Sequence, residues 1–122
     1  MTSSATPRNE DATRRLMATG VALAVVVFGA VAAFATVGAA AGGHGTYLPA
    51  KVFFPFAMLS SLVTGSGLAL VVAVLQFPIY AVASAVAILR RRTRRTVAAL
   101  VLLHVLAAAA CLIALTGDTY TP

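Results

Sequence analysis

The chain has 122 residues, 61% of them hydrophobic and only 10% charged, and its nine Lys and Arg against three Asp and Glu leave a net charge of +6. So little charge cannot cover the surface of a soluble domain of this size. Three long stretches, 16–50, 52–89 and 96–117, carry no Asp, Glu, Lys or Arg at all.

About 20 apolar residues cross a hydrocarbon core of about 30 Å as a helix. The composition therefore predicts an all-α integral membrane protein with three transmembrane helices. The excess positive charge does not point to nucleic acid. Arg90, Arg91, Arg92, Arg94 and Arg95 form one short connector between apolar runs, without the aromatic and polar surface that nucleic-acid binding requires.

In chain order, residues 1–15 read as a flexible tail rich in Thr, Ser, Asn and acid. The first span is placed at 16–41. Its apolar run is longer than the roughly 7–15 residues of a signal-peptide core, so it reads as a retained anchor. Residues 42–54, "GGHGTYLPAKVFF", read as an external connector. Tyr47, Phe53, Phe54 and Phe56 fall where an aromatic belt is expected, and Lys51 can snorkel to headgroups.

The stretch 52–89 is too long for one straight crossing. "TGSG" at 64–67 and Pro78 are its candidate breaks. A short interfacial or kinked helix at 55–64, opened by Pro55, followed by a full span at 67–90 fits best; one long tilted helix is the alternative. Pro78 is expected to kink the span by freeing the carbonyl of Val74. The basic connector occupies 90–96, the third span 97–116, and residues 117–122 form a short tail. Sixteen to 116 thus make a single three-helix membrane domain. Three spans put the N-terminal arginines on the side of the 90–95 cluster, so the positive-inside rule predicts a cytoplasmic N-terminus and an external C-terminus.

His104 is the one ionisable side chain deep in a predicted span, and such a group is costly unless paired. Counting from the basic connector along antiparallel helices brings it level with Ala81, beside Tyr80 and Ser84. Gln76, Tyr80 and Ser84 recur every four residues and share one helical face. This stripe is expected to face the third span, with His104 against Tyr80 or Ser84.

Small residues offer close-packing faces: Gly29 with Ala33, and Ala32 with Thr36 and Ala40, in the first span; Ala107, Cys111 and Leu115 in the third. Ser60, Ser61, Thr64 and Ser66 are expected to bond carbonyls of their own helix.

Catalytic and metal motifs are missing, and the three acids lie in the tails. His44 lacks a second ligand at metal spacing, and no cofactor or metal is expected. The reading is a small non-enzymatic membrane protein packing with itself or with a larger membrane complex. The arginines 90–92, 94 and 95, with Tyr47 and Lys51, would anchor it at lipid headgroups, the arginines at anionic ones. The alternative is a small channel or transporter subunit with a polar path along Gln76, Tyr80, Ser84 and His104. Heavy use of Ala, Val and Arg points to a bacterial cytoplasmic membrane.

Overall fold

A computed structural model describes residues 7–41, 47–64 and 66–114, all built from helices and their connecting turns. The helices are α1 (Pro7–Ala41), α2 (Leu48–Phe53), α3 (Pro55–Thr64), α4 (Ser66–Leu89) and α5 (Thr93–Ala114). Among the described residues, three helices are long and apolar enough to cross a membrane, within α1, α4 and α5. Readings that fall on His44, Gly65, Leu115, Gly117 and the tail to 122, or on the side chains of Ala40 and Ser66, lie outside the described residues.

Helix α1 begins well before the apolar run. Residues 7–15, expected as a loose tail, are helical. Pro7 suits a first helical position, Glu10 lies in the first turn where the helix dipole favours an acid, and Thr13 Oγ1 donates to Asn9 O at 2.8 Å.

Within the expected connector 42–54, Leu48–Phe53 form α2. Tyr47 occupies its N-cap position and Pro49 lies in its first turn. It stops where Pro55 forces the preceding residue out of helical geometry: Phe54 has φ −127° and ψ 50°. Pro55 then opens α3, whose first bond runs from Met58 N to Phe54 O at 3.0 Å. A single residue separates α3 from α4, and α4 folds back along α3, bringing Phe77 against Phe54 and Ala57. The hydroxyls of Ser60, Ser61 and Thr64 donate to the carbonyls of Ala57, Met58 and Ser60 of their own helix, at 2.7–2.8 Å. Helix α4 continues through Pro78.

Residues 90–92 make the turn from α4 to α5. Arg92 N bonds Ala87 O at 2.9 Å and Arg91 N bonds Ile88 O at 3.2 Å, the crossed pair of a Schellman helix end. Arg91 takes the left-handed position with φ 56°, where a residue with a Cβ gives up about 1 kcal/mol relative to glycine.

Helix α1 runs antiparallel to α4, and this is the most extensive helix contact in the bundle. Its buried face is made of small residues: Ala18, Gly29 and Ala32 are buried, with Ala33 and Thr36 half-buried. Gly29 is there because Phe77 is. A Cβ at Gly29 would lie 2.6 Å from Phe77 Cβ and collide with its ring.

The core joins Ala32, Phe54, Ala57 and Phe77, with Phe53 and Tyr80 against it. Phe53 and Phe54, expected at an aromatic belt, lie instead within this core. Phe54 is buried, and the Phe28–Phe53, Phe28–Phe77 and Phe54–Phe77 ring pairs meet edge to face at 5.4–6.1 Å. The physical reason is α2. It carries the phenylalanines inward to the level of Phe77, halfway along α4.

Candidate functional site

Polar residues of α4 and α5 converge where α2 gives way to α3. Pro55 has no N–H, so the helical ladder cannot continue across Phe54. The carbonyls ending α2 then need donors from elsewhere, since a buried backbone acceptor left unbonded is costly. Two side chains supply them. Gln76 Nε2 of α4 donates to Phe53 O at 2.8 Å. His104 Nε2 of α5 lies 2.9 Å from Val52 O.

One of these contacts fixes which ring nitrogen of the histidine donates. A carbonyl can only accept, so Nε2 carries the proton and donates to Val52 O. The other nitrogen, Nδ1, lies 3.1 Å from the Tyr80 hydroxyl. In the neutral ring Nδ1 is an acceptor, so Tyr80 donates to it. Both ring nitrogens are satisfied with the imidazole uncharged. His104 thereby clips three helices together: its own α5, α2 through Val52, and α4 through Tyr80.

Rings extend the clip. His104 meets Tyr80 at 5.9 Å and Phe56 at 6.4 Å, both edge to face, and Tyr80 meets Phe77 at 6.0 Å. Edge-to-face pairs contribute about 0.5–1.5 kcal/mol each beyond the area they bury. A connected line of rings thus runs from Phe28 on α1 through Phe77 and Tyr80 to His104 and Phe56.

The stripe Gln76, Tyr80 and Ser84 is brought together along α4, and its members differ in what they touch. Tyr80 meets His104, the pairing that the level count offered. Gln76 is 4% exposed and serves α2 rather than α5, while Ser84, 8% exposed, is buried one turn beyond Tyr80. Gln76 Oε1 is buried without a partner. The two carbonyls and the rings of Phe28 and Phe77 escape a sequence reading. The one available signal is the pair of prolines, Pro49 and Pro55, each marking a helix start.

The basic residues form a separate group at the end of the bundle where α1 begins. Arg91 Nη2 lies 3.9 Å from Glu10 Oε2 across the mouth of that end. This contact puts the start of α1 and the α4–α5 turn on the same side. Arg90, Arg91, Arg92, Arg94 and Arg95 are all exposed there. Tyr47 is exposed at the opposite end, at the start of α2. Lys51 is half-buried in the last turn of α2.

Among the described residues, no three His, Cys, Asp or Glu side chains gather as metal ligands. Cys111 is a free thiol with no exposed surface. No protein-family model matches the chain, and comparison with curated proteins and with solved structures returned no match.

Proposed function

We propose that the chain is a small, non-enzymatic integral membrane protein of a bacterial cytoplasmic membrane, crossing it three times with the arginine-rich end inside. It acts by packing its helix faces against copies of itself or a larger membrane complex. On this reading α2 enters from the outer face, reaches the middle of the bilayer at Val52–Phe54, and α3 returns to the same face. Non-helical backbone is tolerated at that depth only where protein covers it or water reaches it. Here Gln76, His104 and the phenylalanines cover it.

The use of the polar side chains carries the proposal. Gln76 and His104 each donate to a carbonyl of the same chain, at 2.8 and 2.9 Å. That arrangement fastens a broken helix pair and leaves an uncharged exterior on the apolar stretches of the long helices. Leu23, Val27, Val31 and Phe34 of α1 face outward, as do Val101, Leu102, Val105 and Leu106 of α5. Lys51, in the last turn of α2, has a stem long enough to carry its ammonium toward the outer face.

One observation favours the second reading, a channel or transporter subunit: Gln76 Oε1 is buried without a partner, beside a helix break of the kind that lines substrate sites. Reconstitution in liposomes separates the two. The packing role predicts proton and cation flux no greater than in protein-free vesicles, and His104→Leu protein that unfolds sooner without changing flux. Flux above the blank that His104→Leu abolishes would establish the conduit instead.

A further inference from the structure

At the arginine-rich end, a cleft of about 860 Å³ opens between the first turns of α1 and the α4–α5 turn. We propose that it is a binding site for the headgroup of an anionic phospholipid, and that a headgroup with two phosphates fits it best. Arg14 of α1 forms one wall, with Arg91, Arg92, Arg94 and Arg95 on the other, and Glu10 is the one carboxylate among them. Five guanidinium groups against one carboxylate leave an excess that a single phosphate does not neutralise. Guanidinium groups also bind phosphate oxygens in pairs.

The cleft is amphipathic in the direction a lipid requires. Met17 and Ile88 line it on the side toward the apolar spans, where the start of an acyl chain would lie. The N-terminus of α5 opens into the same space at Thr93, and its dipole favours an anion.

Arg91 is the second, independent sign. It occupies the left-handed position of the α4 helix end, with φ 56°, where glycine is the favoured residue. The chain carries a guanidinium at a position where the backbone favours no side chain. Among the described residues, that guanidinium makes a long, exposed contact with Glu10, at 3.9 Å. Such a pair is weak and yields readily to a phosphate. Glu10 then acts as a competitor that the headgroup displaces.

The proposal rests on the membrane reading above, which retention in carbonate-washed membranes tests separately. The test here is lipid titration of the full chain in neutral detergent, with bound lipid counted by native mass spectrometry. Tetraoleoyl cardiolipin should bind saturably, one per chain, more tightly than dioleoylphosphatidylglycerol and far more tightly than dioleoylphosphatidylcholine. Arg91→Gly should weaken cardiolipin about fivefold, the equivalent of about 1 kcal/mol for one arginine, while melting no earlier than the parent protein.

Glu10→Gln should tighten binding, by up to about fivefold. Arg15→Gln removes the same charge from a residue outside the cleft and should change affinity less than twofold. Equal weakening by Arg15→Gln and Arg91→Gly would reduce the effect to diffuse attraction and overturn the site. Binding of inorganic phosphate without preference for the lipid would overturn the lipid assignment. Cardiolipin bound no more tightly than phosphatidylcholine, by a chain that stays in carbonate-washed membranes, would overturn the cleft and leave the membrane reading intact.

Discussion

Replacing Gly29 with alanine tests the α1–α4 packing at its closest point. In an unhindered helix the change favours alanine by about 1 kcal/mol. Gly20 and Gly38 supply that case within the same helix, because an added Cβ there meets nothing within 4 Å. At Gly29 the new Cβ lies 2.6 Å from Phe77 Cβ, so one of them must retreat by about 1 Å to reach ordinary carbon–carbon contact. Phe77 cannot swing aside: the rings of Phe28, Phe54 and Tyr80 stand around it at 5.4–6.0 Å. Overpacking of this kind costs about 1–3 kcal/mol, and contact with backbone-anchored Phe77 Cβ puts Gly29 at the upper end.

Subtracting the propensity gain leaves a net loss of about 2 kcal/mol for Gly29→Ala. The controls Gly20→Ala and Gly38→Ala should be neutral or stabilising. Equilibrium unfolding by increasing dodecyl sulfate in mixed micelles measures all three. In a Phe77→Ala background the Gly29 penalty should shrink without vanishing, because the colliding ring is gone while the Cβ contact at 2.6 Å remains. Gly29→Ala protein as stable as the two controls would refute the close approach and the helix register built on it.

Other substitutions bear on the clip. His104→Leu removes the Tyr80 partner and uncovers Val52 O, which should destabilise by about 1–3 kcal/mol in the same assay. Gln76→Leu should cost less than His104→Leu, since it uncovers Phe53 O but also removes the unpartnered Oε1. Tyr80→Phe should lose about 0.6 kcal/mol, the average for a single bond between membrane helices. Cys111 should react with N-ethylmaleimide only as the bundle unfolds. Fast labelling of folded protein would show that α5 does not turn this face inward.

The long helices were legible in the sequence because apolar length and charge spacing are properties of the chain itself. Their relative levels were partly legible too. The positions of Arg90 and Arg95 fix where α4 and α5 meet, and from there His104 reaches Tyr80 by counting. Helix α2, Leu48–Phe53, was not legible for a physical reason. Glycines, a lysine and aromatics describe the end of a span and an inward-turning helix equally well, and hydropathy does not record direction. Only packing distinguishes them, and the packing depends on Gly29 admitting Phe77 and on donors carried by residues 76 and 104. The helical start of α1 at 7–15 escapes a reading of polar composition, although Pro7, Glu10 and Thr13 favour a helix start.

The most direct test of the account is the depth of residue 52 in a bilayer. Val52, Ile79 and Val63 are all exposed on the bundle and can each carry a spin label, as Val52→Cys, Ile79→Cys or Val63→Cys in a Cys111→Ala background. Collision with oxygen and with a water-soluble nickel complex reports the depth of each label. If α2 descends to the clip, the label at 52 matches the one at 79, in the middle of the bilayer, and lies well below the one at 63. A label at 52 as shallow as the one at 63 would contradict the inward-turning α2 and the role assigned to His104 and Gln76.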